Sequence, residues 1–414
     1  MSRIPRWLML GLSALALLLS LSSCAPKAKA GKLKIVIWEQ MDPEERKRFE
    51  TNIAEYQQQD TTVVIQHVPY DTEQLRSQFQ TAASAGGGPQ LVFGPSDQVG
   101  PLSLLKLIRP LETTLPAGFF DRFVPASLDT LDGHLYAAPD QIGNHLVLCY
   151  NKKMVPKAPV TADEFLSIAK ANTKVSSDPK LTRYGFVMNN TEPYWLVPFY
   201  AGYGGWVMDA ANAPTLDNPA MVKSLAFLRS LRDQYKVSPK ESDYQGAETL
   251  FKEGKAAMLV NGPWSWKGYR DAGIDLGIAP IPPLPGGDWA KPMVASKGYS
   301  ISVNVKEAEL PAVIKLLTFL TSPAAELRDA KSLGILPSSQ EAYDNADLSA
   351  DPLLQASKLA IERGRRMPVV PEMRVLWDVM RPEMQNVMNG VKSPEQAAHD
   401  MQAAAVKQIA AMKN

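Results

Sequence analysis

Nucleophiles and metal ligands are sparse in this sequence, and the residues best suited to grip a ligand are aromatic. Residues 261–266 read Asn-Gly-Pro-Trp-Ser-Trp directly after the apolar run 256–260. A Gly-Pro pair at the end of a strand-like run forces a turn, which presents Trp264 and Trp266 where α/β proteins place ligands. Two indoles one residue apart share a face in an extended chain, but the turn breaks that rule. We therefore expect Trp264 in a cleft and Trp266 packed inward, the alternative being that both are core. Six aromatics fall within thirteen residues from Tyr194 to Trp206, and Tyr194, beside a strand end and a Pro turn, is the best cleft candidate among them. Catalytic patterns are missing: four scattered histidines, no His-Glu-x-x-His, no paired cysteines, no Gly-x-Ser-x-Gly. No metal and no cofactor is expected.

These residues need a frame, and 414 residues exceed one typical core, so two domains are expected. Charges nearly cancel, 44 basic against 43 acidic, with no basic cluster interleaved with aromatics, which argues against nucleic acid as a partner. The N-terminus is laid out as a secretory signal, with Arg3 and Arg6, an apolar run over 8–21 and small residues up to Cys24. That run falls short of the roughly 20 residues needed to span a bilayer. Leu21-Ser22-Ser23-Cys24 resembles a bacterial lipobox, which implies an acylated Cys24 and an exported, membrane-tethered body. Residues 25–32 then read as a flexible tether. Cys149, left alone among apolar neighbours, is expected to be a buried structural thiol.

From there the chain reads as strand 32–38, a helix opened by Asp42 and Pro43, strand 61–68, helix 72–85 and strand 91–93. This β-α-β-α-β order is the signature of a parallel sheet with crossover helices. Gly86-Gly87-Gly88 follows a helix and precedes a strand, the reverse of a phosphate cradle, so it is a helix stop. Residues 94–98 leave the third strand at its C-terminal end, where Asp97 and Gln98 either face a cleft or lie in a solvated loop. Further strands are expected at 133–139, 146–150, 184–188, 274–285 and 300–305. Helices are expected at 161–171, 218–235, 311–321, 355–364, 373–390 and 394–413, with a break at Leu336-Pro337.

Landmarks along this frame carry a resemblance. Ile35-Val36-Ile37-Trp38, Leu148 to Lys152, Glu192-Pro193-Tyr194, Phe251 to Met258, Asn261 to Trp266, and Met367-Pro368 through Trp377 resemble, in the same order, the maltose/maltodextrin- and trehalose/maltose-binding proteins. These are the solute-binding subunits of bacterial ABC sugar importers, and the resemblance covers essentially the whole exported chain. It implies an α/β, two-lobed periplasmic-binding-protein fold of type II, each lobe a central sheet with flanking helices, joined by a hinge of several crossings. It also implies a sugar bound between the lobes, a membrane permease that senses closure, and a monomer. The expected division is 33–141 with 296–337 for the N-terminal lobe, and 142–295 with 338–414 for the C-terminal lobe.

Carried over by position, the resemblance places Asp97, Glu192, Tyr194, Trp264 and Trp377 on sugar-contacting sites, with Asp42 beside them. Sugar C–H faces stack on aromatic rings, while hydroxyls suit carboxylates, amides and guanidinium forks. The chain departs from the family at Gly94, where an aromatic is usual, at Gln98 and Asn144, where charged partners are usual, and at Pro43 in place of a lysine. Gln98 and Asn144 still donate and accept. Glu39, Arg76 and Tyr299 look more like the trehalose/maltose-binding members, so a disaccharide is as plausible as a long maltodextrin. Arg374, one helical turn before Trp377, is either a further hydroxyl contact or a surface arginine.

Two rival readings accompany this one. Asp97 and Glu192 could form the carboxylate pair of a glycoside-processing enzyme, which needs a separation of about 5 to 10 Å. An adhesive polysaccharide-binding lipoprotein would instead want an open, rigid aromatic surface. The hinged two-lobe pattern that the resemblance implies favours a closing cleft, in which the second lobe's aromatics would capture the ligand and Asp97, Arg76 and Glu39 complete the shell.

Overall fold

A computed structural model gives the fold of residues 31–413. The secretory segment, Cys24 and residues 25–30 of the tether lie outside the described residues.

The first strand, β1 (Leu33–Glu39), buries Ile35 and Ile37, and pairs in parallel with β2 (Val63–Pro69) and β3 (Leu91–Pro95). The helices Pro43–Gln59 and Thr72–Ser84 make the crossovers, burying Phe49, Ile53 and Tyr56 from the one and Leu75, Phe79 and Ala83 from the other. Period-3.6 apolar positions on one face of each helix explain this burial. Gly86 and Gly88 sit at positive φ just past the second helix, as its stop requires.

After the small hairpin of β4 (Thr130–Leu131) and β5 (His134–Leu135), the chain enters β6 (Ala138–Asn144). Only two residues then separate β6 from β7 (Val147–Asn151), which belongs to a second sheet. That second sheet adds β8 (Tyr184–Met188), β9 (Ala256–Asn261) and β10 (Leu276–Ala279), in the order β10-β7-β9-β8. The chain returns along β11 (Met293–Ile301), which runs antiparallel to both β3 and β6 in the first sheet. Two short strands, β12 (Leu336–Pro337) and β13 (Arg365–Arg366), pair with β6 and β11 respectively. The first sheet therefore reads β12-β6-β11-β3-β1-β2, and each sheet anchors one lobe. The ends of β6 and β11 and the segment after β12 carry the chain between lobes. His145, at the β6–β7 crossing, is fully buried against Ser357 and the Gly143 carbonyl, and burial pushes its imidazole down to about 4.

Several helices open on the same local device, a capping side chain followed by proline. Asn218, Ser322 and Asp351 each accept from first-turn amides ahead of Pro219, Pro323 and Pro352. The strand expected at 300–305 is β11, which ends at Ile301; its small residues and complete burial hide the alternation that marks a half-exposed strand. Leu336-Pro337 is a short edge strand rather than a break. The helices Pro323–Leu333 and Tyr244–Lys252 were not among the expected elements.

Candidate binding cleft

The cleft is assembled from strand ends, where a loop can turn without breaking a sheet. From the first lobe, β1 delivers Asp42 and β3 delivers residues 94–98. From the second, β8 leads into Glu192 to Trp195 and β9 into residues 262–266. The helices Tyr244–Lys252 and Glu372–Met388 bring Tyr244, Arg374, Trp377 and Arg381 to the same place.

Trp195 anchors an aromatic wall. Its indole N–H donates to the Val260 carbonyl at 2.9 Å, and its ring meets Tyr194, Tyr244 and Trp264 edge-to-face at centroid distances of 5.5, 5.9 and 6.5 Å. Tyr194 also meets Trp377 at 6.3 Å, and its hydroxyl donates to the Asn144 carbonyl at 2.9 Å. As the turn chemistry suggests, Trp264 is half-buried in the cleft whereas Trp266 is 0% exposed. The Trp264 indole folds back over Gly262, where a Cβ would stand 2.1 Å from its ring, so only glycine permits this placement.

Polar contacts cross between the lobes along this wall. Asp42 accepts from the Tyr244 hydroxyl at 2.8 Å and from Ser265 at 3.2 Å, and Tyr244 in turn accepts from the Trp264 indole at 3.1 Å. Burial, reinforced by Glu45, raises the Asp42 carboxyl to about 6. Asp97 accepts from the Trp377 indole at 2.9 Å through one oxygen, while its other oxygen, Oδ1, is buried without a hydrogen-bond partner. Burial raises this carboxyl to about 6 as well, against the Trp377 hydrogen bond. The Nε of Arg76 is likewise buried without a hydrogen-bond partner. Arginine Nε atoms are also left unpaired at Arg109, Arg122, Arg328 and Arg363, so the more telling atom is the free Asp97 oxygen beside the aromatic wall, which suits a ligand that donates to it.

A charged band closes the cleft beside these groups. Glu73 pairs with Arg374, with Arg381 at 3.3 Å and with Arg76 at 3.6 Å. The Arg381 Nε donates to both oxygens of Glu192 at 3.0 Å. Arg374 also pairs with Asp378 one turn on. The lobes are thus apposed, with ligand-type side chains meeting one another.

Of the residues singled out from sequence, the structure brings together Asp42, Arg76, Asp97, Glu192, Tyr194, Trp264, Arg374 and Trp377, and Asn144 through its backbone carbonyl. Two are placed elsewhere. Tyr299 is 2% exposed and packs on Phe93 and Phe49 in the first lobe's core. Glu39 is 0% exposed and satisfied by its own lobe, through Arg46 and the Met41 amide at 2.8 Å and His67 at 3.3 Å. Gln98 is buried with its carboxamide over Gly94, filling the space that a side chain at 94 would take. Sequence reasoning missed Glu73, Tyr244 and Arg381. Arg381 had a usable signal, lying four residues beyond Trp377 and hence on the same helical face.

Residues 51–356 match the family described as bacterial extracellular solute-binding protein. A maltotriose-binding protein from Pyrococcus abyssi is 27% identical over 376 residues, covering 88% of this chain and 80% of that one. A galactooligosaccharide-binding protein from Bacillus subtilis is 26% identical, covering 96% of each. Among solved structures, the maltose/maltodextrin-binding domain of Bdellovibrio bacteriovorus bound to maltotriose is 40% identical with a TM-score of 0.89, covering 91% of this chain and 100% of that one.

Proposed function

Because this chain belongs to the family of bacterial extracellular solute-binding proteins, we propose that it captures a maltooligosaccharide between its lobes and hands it to the permease of an ABC importer. The observation that carries this reading is the pairing of an aromatic wall with unsatisfied buried polar atoms across the cleft. Tyr194, Trp264 and Trp377 offer faces for sugar C–H surfaces, and Asp97 Oδ1 and Arg76 Nε offer an acceptor and a donor for ring hydroxyls. Maltotriose, bound by the Pyrococcus and Bdellovibrio relatives, is the first ligand to test. The lobes, 33–141 with 296–337 and 142–295 with 338–414, move as bodies about the crossings, and ligand contacts from both sides drive closure. Glu39 and Tyr299 act from behind the site as packing. Acylated Cys24 tethers the protein to the outer face of the membrane, where it works as a monomer.

The protein is a receptor rather than a hydrolase. Glu192 holds a guanidinium on both oxygens, which keeps it ionised and disfavours it as the proton donor that glycoside cleavage needs. Calorimetric titration with maltotriose, maltose, trehalose and a galactooligosaccharide, with tryptophan fluorescence in parallel, tests the reading. Stoichiometric binding of maltotriose without cleavage is expected, weakened about tenfold or more in Trp264→Ala with the fold intact. Preference for the galactooligosaccharide would overturn the assignment of ligand, and appearance of cleaved sugar would overturn the assignment as receptor.

A further inference from the structure

Lys297 and Glu45 form an ion pair at the base of the first lobe, each 4% exposed, with Nζ 2.9 Å from both carboxylate oxygens. A buried pair of this kind is weak evidence for stability, because desolvation offsets much of the attraction. Its placement is more informative. Lys297 lies on β11 and its register partner Gln141 on β6, two strands that run on into the other lobe. Gln141 also donates to Glu45, at 3.1 Å. Two register shifts flank the Lys297–Gln141 pair, and their extra residues, Gly143 and Asp140, both fall on β6. β11 itself keeps regular register with β3, so Lys297 points by ordinary alternation to the face it shares with Tyr299, over Phe93 and toward the helix that carries Glu45.

What Glu45 does with this anchor leads to the cleft. Its Oε2 accepts from the Asp42 amide at 3.2 Å, the returning half of a capping box, so it fixes the end of the helix Pro43–Gln59. Asp42 is the residue that reaches the opposite lobe through Tyr244 and Ser265, and Tyr244 receives the Trp264 indole. A continuous polar path therefore runs from the hinge strands, through Lys297, Glu45 and Asp42, to the aromatic wall.

We propose that Lys297 is a positioning residue for the cleft: through Glu45 it ties the Asp42 contact with the opposite lobe to the strands on which the lobes turn. This inference rests on the reading of the cleft as a closing sugar site. The groups facing Asp42 are Glu45 on its own helix, Tyr244 and Glu248 on the helix Tyr244–Lys252, Ser265 after β9, and Lys297 on β11. Glu45 raises the Asp42 carboxyl and Lys297 lowers it, with Glu45 the stronger of the two. A role confined to packing would leave the titration of Asp42 where it is.

The experiment measures the maltotriose dissociation constant by calorimetry across pH 5 to 8 for the wild type, Lys297→Met, Lys297→Arg and the double variant Lys297→Met/Glu45→Gln, with thermal unfolding alongside. Lys297→Met is expected to weaken binding about two- to thirtyfold and to move the pH step of the affinity upward, and Lys297→Arg to restore both. If Lys297→Met does not fold, the double variant decides, keeping the loss of affinity while its pH step moves down. Wild-type affinity and an unmoved pH step in whichever of these variants folds would overturn the inference. A wild type that binds none of the sugars would instead overturn the proposed function. The inference is then read from small-angle scattering of the ligand-free proteins, where coincident pH profiles of wild type and variant would overturn it and displaced profiles would support it.

Discussion

Asp97→Asn isolates the cost of closing the lobes on an empty cleft. In the closed arrangement the Asp97 carboxyl is raised from its ordinary 3.8 to about 6, chiefly by burial, and Oδ1 has no partner. An open form that returns solvent to the carboxylate brings it toward the ordinary value, which sets the upper bound of the effect. The difference amounts to about 3 kcal/mol against closing on the ionised group, or about a hundredfold in the closed population. The sign follows from the raised value. Closure favours the protonated acid, so the penalty is absent below about pH 4, grows as the pH rises toward 6 and is complete above it. Asparagine keeps an acceptor for the Trp377 indole and removes the charge. Ligand-free Asp97→Asn should therefore close up to about a hundredfold more readily than wild type at pH 7.5, and equally near pH 4. Energy transfer between dyes on exposed positions of the two lobes, followed from pH 8 down to 4, gives the closed fraction. Wild type should close as the pH falls through 6; the variant should keep only the part due to Asp42, which is raised to a similar value. Superimposable profiles for the two proteins would refute the argument, because Asp97 would then carry no burial penalty in the closed form.

Two further outcomes follow from the cleft's geometry. Gly262→Ala should weaken maltotriose binding about as much as Trp264→Ala, since the added Cβ would stand 2.1 Å from the indole and displace it; calorimetry and near-ultraviolet circular dichroism check this, and native affinity would show that the indole does not serve as a platform. Glu73→Gln removes the carboxylate that joins the lobes through Arg374 and Arg381, and should lower affinity at low salt about two- to fivefold. That difference should vanish in high salt, because the pairs are partly solvated. An effect independent of salt would mean that Glu73 works through packing.

What the sequence made legible, and what it did not, divides along a physical line. Turn and cap chemistry is local, so Gly262-Pro263 marked the turn after which Trp264 is half-buried and Trp266 fully buried. Asp42-Pro43 and Asn218-Pro219 were enough to start their helices. The cross-lobe partners were not local. Glu73 and Arg381 stand 308 positions apart, and no periodicity links a first-turn glutamate on one helix to an arginine on another. Tyr299 shows a third kind of limit. Strict alternation would put Lys297 and Tyr299 on one face of β11, so a pocket role for one would argue for the other. Alternation holds, since β11 pairs with β3 in unbroken register and both residues meet the Phe93 ring, but β11 is buried along its whole length, so its burial pattern does not tell where along that face a pocket lies. On that shared face Tyr299 packs on Phe93 and Phe49 in the core, and Lys297, two residues earlier, passes over Phe93 to reach Glu45. Position along the strand, rather than the face, thus separates the packed tyrosine from the lysine that reaches Glu45, and a pattern that assigns faces offers no reason to single out that lysine.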